Sequence, residues 1–240
     1  ESLARHTSLR IGGPATYWAE ASSVAGLRAL VKEAAAQQLP MHVVGLGSNV
    51  LFPDEGIDGI VVRLTGDFAE WEVESARDET ATVVVGGGVV NAHLVRSLLS
   101  EGWVGAEFLR LIPGTFGGAV ALNAGTKERE LSAILQQVTL LERDSDEGWT
   151  QTVRAADELE LGYRHCELPD ESIVLSGRIA VERGDVEKAR QSMEADRERR
   201  DETQPYKLAS VGSTFANPDG DYAGRLIDEV GLKGERIGGA

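Results

Sequence analysis

Four glycines, Gly114, Gly117, Gly118 and Gly125, fall within residues 109–125, between two apolar, regular segments. Glycine permits positive φ and removes Cβ where another group must come close to the backbone. Successive N–H groups in such a loop form a concavity suited to an anion. Pro113 fixes the entry to the stretch. It reads either as backbone laid against a ligand, a phosphate-bearing cofactor included, or as a tight loop joining a strand to a helix.

Residue 166 is the single cysteine, so no internal disulfide can form, in keeping with a reducing compartment and an expected cytoplasmic location. The longest apolar runs fall short of a membrane span, and no leader pattern opens the sequence. With 240 residues, the chain can form one large or two small domains around a sizeable core. Its net charge of −15 excludes nucleic-acid binding through a broad basic face. Any anionic ligand must be held by local devices: glycine loops, helix N-termini and a few arginines. The acidic balance reads as a solubility feature, concentrated at 70–79 and 144–147, which are expected as solvated loops.

An irregular arm at 6–14 precedes a predicted strand at 15–21. Ser22 and Ser23 then cap a helix carrying Leu27, Leu30, Val31 and Ala34 at helical spacing, and Pro40 ends it. A short buried strand is expected at 41–44, with His42 as a core residue, and another strand at 57–64. The result is a β-α-β unit with a second glycine device, Gly45-Leu46-Gly47-Ser48-Asn49, directly after its second strand. That loop is neither a P-loop nor a dinucleotide fingerprint, and by itself reads equally as an ordinary turn. Strands are predicted at 69–73, 82–85, 134–142, 149–153 and 173–181, with a helix at 89–101 stopped by Gly102. A polar helix at 186–200, a connection at 203–208 and an amphipathic helix at 223–230 follow. The expected division is 1–66, 67–184 and 185–240. The apolar face at Leu226, Ile227 and Val230 is expected to need a further covering surface.

Arg164, in Gly162-Tyr163-Arg164, suits an oxyanion or a phosphate, or is a solvated loop cation. Ser213, between Gly212 and Thr214, can donate a proton or cap a turn; no hydrolase triad surrounds it. The four histidines have no metal-ligand spacing, so no metal site is predicted, and nothing marks Cys166 as an activated thiol.

Taken together, the segments 7–14, 45–51, 111–118 with 123–125, 161–164, 211–218 and 223–228 with 233–240 resemble the UDP-N-acetylenolpyruvoylglucosamine reductase family, the MurB flavoenzymes of peptidoglycan precursor synthesis. The resemblance spans essentially the whole chain. It implies an α+β fold: a two-lobed FAD-binding domain of the vanillyl-alcohol oxidase (PCMH) type, followed by an α+β substrate-binding domain of which this sequence carries only part. It implies that Gly45, Leu46, Gly47, Ser48 and Asn49, with Ile112, Pro113, Gly114, Thr115, Gly117, Gly118, Asn123 and Gly125, hold FAD. It implies NADPH as reductant and a UDP-sugar as substrate, with no nucleic acid, membrane or obligate protein partner. It further implies that hydride reaches the enolpyruvyl carbon by way of the flavin, that Arg164 stabilises the enolate, and that Ser213 supplies the proton. Arg164, Asn217 and Arg236 are the implied substrate contacts.

Three departures stand out. The family uses a glutamate near its C-terminus that no residue here matches. Thr126-Lys127-Glu128-Arg129 replaces a common Ala-Tyr-Gly, and Cys166 stands where a serine is common. Rival readings are an FAD-linked alcohol or sugar oxidase of the same fold and a non-catalytic flavin-binding protein.

Overall fold

Ser23 starts the first helix: its backbone is extended and its Oγ accepts the Gly26 N–H at 3.2 Å. In the computed structural model, which describes residues 1–240 apart from 127, 145–147, 204–208 and 239–240, β1 (Ala15–Ala21) leads to α1 (Val24–Ala36). Gln38, in the left-handed region at φ 54°, turns the chain before Pro40. β2 (Met41–Val43) and β3 (Ile57–Leu64) complete a parallel three-stranded sheet in the order β1-β3-β2. The β-α-β unit is as expected. The placement of β2 is a correction: it is an edge strand, and His42 and Val43 are exposed rather than buried in a core. β3 takes the central position instead, with four successive buried residues, Gly59, Ile60, Val61 and Val62.

The second lobe holds β4 (Trp71–Arg77), β5 (Thr80–Gly86), α2 (Asn91–Ser100), β6 (Trp103–Val104), α3 (Phe116–Ala121), β7 (Leu135–Asp144), β8 (Gly148–Ala155), the short pair β9 (Leu161–Gly162) and β10 (His165–Cys166), and β11 (Ile173–Arg183). A six-stranded antiparallel sheet runs β4-β5-β11-β7-β8, with β6 paired to β11. Within the acidic stretch at 70–79, the strand expected at 69–73 is present but runs on to Arg77, where a solvated loop was expected. Trp71 and Val73 turn one partly buried face to β5, and Glu74 reaches across the sheet to the Arg178 guanidinium. The expected acidic turn at 144–147 and the connection at 203–208 lie largely outside the described residues. α4 (Val186–Thr203) and α5 (Ala223–Glu229) follow. Leu226 and Val230 on α5 are exposed, and Ile227 is half-buried.

α2 and α3 bury Leu94, Leu98, Phe116 and Val120 against the large sheet. α1 buries Leu27 and Val31 in a second core shared with Leu141, Ile173 and Leu175 of the large sheet, so the two sheets are joined through apolar contact. Gly102, at φ 85°, stops α2, while Val89 and Val90, expected as its first turn, serve the loop at 115–116 instead.

Glu142 on β7 is buried and receives both Arg154 nitrogens from β8, at 3.1 and 3.0 Å. The Arg154 hydrogen bonds hold its carboxyl below the usual carboxylate range against the opposing effect of burial. A carboxyl lowered on folding adds stability above its unfolded value and loses that stability as pH falls through its folded value. Glu142→Gln is therefore expected to cost about 1 kcal/mol at neutral pH. Thermal denaturation along a pH series should show this gap closing once the pH drops through the lowered value.

Candidate flavin and substrate site

Gly87, Gly88, Thr115, Gly117 and Gly118 line a cleft of ≈ 850 Å³ together with residues of α1 and β2 and with Gly45. That volume lies within the range of sites that take cofactor-sized ligands. Ile173, Val174, Leu168, Trp149, Arg143 and Glu171 also line the cleft. The lining mixes aliphatic side chains with bare backbone, as a flat ring system joined to a phosphate chain requires.

The two glycine devices expected from the sequence meet here. Ser48 Oγ donates to the Pro113 carbonyl at 2.5 Å. A Cβ on Gly45 would lie 2.5 Å from Thr115 Oγ1. Gly114, at φ 148°, passes its carbonyl to the Asn91 N–H at 3.1 Å. Side chains larger than hydrogen at 45 would thus part the two loops.

Not every glycine serves a ligand directly. Gly47, at φ 64°, packs under the N-terminal arm: a Cβ there would sit 1.9 Å from the His6 carbonyl oxygen, and its own carbonyl accepts the Ser8 N–H. The Gly117 N–H donates to the Gly87 carbonyl at 2.8 Å, and the Phe116 N–H to the Val89 carbonyl at 2.8 Å. The start of α3 is therefore pinned to the run Gly86-Gly87-Gly88. Gly118 differs: a Cβ there would meet only Thr115 Oγ1, at 3.9 Å, so this position opens into the cleft. Leu46, Asn49 and Pro113 are exposed around it, and Ile112 is half-buried. Gly125 opens a tight bridge to Glu130.

Gly87 and Gly88 line the cleft, although locally the glycines at 86–88 read only as the end of a strand. Their signal was present, three successive glycines directly after a strand. The Gly87 N–H donates to the Leu175 carbonyl at 2.7 Å, and a Cβ at 87 would lie 2.3 Å from the Val174 carbonyl oxygen. Only bare backbone fits between β11 and the loop at 115–118.

A second group of expected residues gathers at the β9–β10 hairpin. Arg164 occupies the left-handed region at φ 54°, and its Nη1 donates to the Phe215 carbonyl at 3.1 Å. Tyr163 Oη accepts the Asn217 N–H at 3.4 Å, while Asn217 Oδ1 accepts the Ala223 N–H at the start of α5. The loop carrying Ser213 is thereby held against the turn carrying Arg164. Ser213 itself is exposed, after Gly212 at φ 73°. Arg236 is exposed. Asn123 is buried beneath the hairpin, its amide bonded to protein. Burial raises the Cys166 thiol, which keeps it protonated at neutral pH. Among the described residues, no group of three or more His, Cys, Asp or Glu side chains could hold a metal ion, and no helix is long and apolar enough to cross a membrane.

Known proteins share this arrangement. The family model described as FAD binding domain matches residues 15–147, and the one described as UDP-N-acetylenolpyruvoylglucosamine reductase, C-terminal domain, matches residues 204–240. A UDP-N-acetylenolpyruvoylglucosamine reductase of Anaeromyxobacter sp. (strain Fw109-5) is 40% identical over 99% of this chain and 72% of the relative. One of Myxococcus xanthus (strain DK1622) is 39% identical over 100% of this chain and 76% of the relative. The crystal structure of UDP-N-acetylenolpyruvylglucosamine reductase (MurB) from Thermus caldophilus superposes with a TM-score of 0.83 at 35% identity, covering 99% of this chain and 81% of that one. Cholesterol oxidase from B. sterolicum, at 13% identity, covers 68% of this chain and 34% of its own with a TM-score of 0.51, and shares the fold alone. On sequence and on structure, the chain belongs to the UDP-N-acetylenolpyruvoylglucosamine reductase family of FAD-dependent oxidoreductases.

Proposed function

We propose that this protein reduces the enolpyruvyl double bond of UDP-N-acetylglucosamine enolpyruvate to give UDP-N-acetylmuramate, with NADPH as reductant. The observation that carries the reading is the meeting of the Arg164 hairpin with the loop at 213–217, two segments some 50 residues apart in sequence that hold the expected substrate residues. The cleft lined by Gly87, Gly88, Gly117 and Gly118 supports FAD as the resident cofactor, with Gly45, Ser48 and Gly114 shaping the adjoining wall.

When bound, FAD supplies the hydride chemistry, taking hydride from a dinucleotide and giving it to carbon. The chain's own groups supply the rest. Addition of hydride at the enolpyruvyl β-carbon leaves negative charge spread toward the substrate carboxylate. The Arg164 guanidinium is permanently charged and matches a carboxylate with two parallel N–H donors. Ser213 Oγ donates the proton to the α-carbon; a serine is a weak acid, but an enolate is a strong enough base to take its proton. Asn217 and Arg236 contact the substrate. We assign flavin binding and the first substrate contacts to the lobes at 1–66 and 67–184, and the remaining contacts to 185–240. A cytoplasmic setting follows from the soluble UDP-sugar and NADPH.

An anaerobic stopped-flow experiment tests this in two steps. NADPH should bleach the flavin absorbance, and UDP-N-acetylglucosamine enolpyruvate should then restore it. Flavin that NADPH cannot bleach, or that only oxygen reoxidises, would overturn the reading in favour of an oxidase of the same fold.

A further inference from the structure

Asn123 is the residue whose surroundings differ most from the role expected of it. It is 2% exposed and left-handed at φ 41°, just beyond α3. Its Oδ1 accepts the Ser132 N–H at 2.8 Å. Its Nδ2 donates to Glu130 Oε2 at 3.0 Å and to the Gly162 carbonyl at 3.1 Å. An amide has two N–H donors, and both are committed to protein.

Gly162 is the last residue of β9. It pairs with His165, leaving Tyr163 and Arg164 as a two-residue connection. Arg164 sits there at φ 54°, a conformation that a non-glycine residue holds only where its surroundings impose it. Nothing lies within 4 Å of the position a Cβ would take on Gly162. Leu161 and Cys166, paired at the base of the hairpin, pack into the large core, and the Asn123 hydrogen bond adds a polar tie at Gly162, next to the turn. The same asparagine ends the helix that begins at the cleft glycines 117 and 118. One amide thus ties the wall of the cofactor cleft to the turn that carries Arg164.

We propose that Asn123 is a positioning residue for Arg164: through Nδ2 and the Gly162 carbonyl it sets where the guanidinium stands relative to the cofactor cleft. The inference rests on the reductase reading, in which Arg164 meets the charge that develops on the substrate. Misplacing a group of that kind by about 1 Å costs on the order of 100-fold in rate. It leaves untouched a step in which the group takes no part.

The test uses the full-length, FAD-loaded protein and two variants. Asn123→Gly keeps the left-handed backbone without penalty and removes the amide. Glu130→Ala removes the other acceptor and spares the bond to Gly162. For Asn123→Gly, flavin content and NADPH-driven bleaching should stay within about twofold of the parent, while reoxidation by saturating UDP-N-acetylglucosamine enolpyruvate slows about 100-fold. Substrate half-saturation should move far less than the rate. Glu130→Ala should match the parent in both steps. Should Asn123→Gly not fold, Asn123→Asp combined with Glu130→Gln takes its place: the glutamine amide can donate to the new carboxylate, which accepts from Ser132 and has no proton for Gly162.

Reoxidation of Asn123→Gly at the parent's rate would overturn the proposal, and so would equal slowing of both steps. The same selective loss in Glu130→Ala would also overturn it, assigning the effect to the loop at 124–131. A parent that the enolpyruvyl sugar cannot reoxidise would refute the reductase reading first, and the proposal with it.

Discussion

Valine in place of Gly117 is expected to give protein that purifies without its yellow colour. The Gly117 N–H donates to the Gly87 carbonyl at 2.8 Å, and a Cβ at 117 would lie 3.0 Å from that oxygen and 3.4 Å from the Gly87 Cα. Both contacts are backbone, on a run whose own neighbours are the backbones of β11 and of residues 64–68. Neither side can give way by rotating a side chain. The γ carbons of valine extend the clash, so α3 must move off the glycine run and into the cleft. Overpacking of this kind costs about 1–3 kcal/mol. Because α3 and the run at 86–88 together form one wall of the cleft, the loss of FAD should exceed the loss of stability. We expect less than about a tenth of the parent's flavin per chain, read from the ratio of flavin to protein absorbance. Gly118→Ala is the control: its Cβ meets only Thr115 Oγ1 at 3.9 Å, so it should leave the melting temperature unchanged. Normal flavin content in Gly117→Val would remove Gly117 from the cradle.

Ser213→Ala is expected to separate the two halves of the reaction. Reduction of flavin by NADPH should remain within about twofold of the parent, because no proton from the protein is needed in that step. Reoxidation by the enolpyruvyl sugar should fall by about 10³, within the span seen when a positioned proton donor is removed. The substitution is mild structurally. Ser213 is exposed, and the turn that precedes it is made by Gly212 at φ 73°, which the alanine does not disturb. Rapid-mixing traces of each half-reaction decide the matter: equal slowing in both would make Ser213 a structural residue of its loop.

These two positions differ in how far they could be read from the chain. Local residue types favour a solvated cation at Arg164 and a turn cap at Ser213, and only the resemblance gives either a catalytic role. Gly117 was visible as part of a glycine cluster, but its partner was not. The contact that makes it indispensable is with Gly87, 30 positions earlier, on a run read only as the end of a strand. Asn123 was expected to face the cofactor, and the structure instead gives its amide to Glu130, Ser132 and Gly162.

The elements divide the same way. Ser23 as a cap, the left-handed stop at Gly102, and the strands at 15–21 and 57–64 were legible because each depends on a few neighbouring residues: a hydroxyl beside free N–H groups, a missing Cβ, adjacent aromatic or β-branched side chains. The strand at 41–43 was legible as a strand but not as an edge. A short apolar run looks the same in either position, and only the order β1-β3-β2 leaves His42 and Val43 exposed beside the cleft. At 74–77 the acidic composition suggested a loop beyond the strand expected at 69–73, yet pairing with β5 and with the Arg178 guanidinium, 104 residues beyond Glu74, extends the strand to Arg77. The sequence by itself determined where the backbone can turn, be capped or go without a side chain. Which of those bare positions face one another was decided by sheet order and by the packing of α1 and α3, since backbones that meet across a cleft are brought there by contacts tens of residues apart.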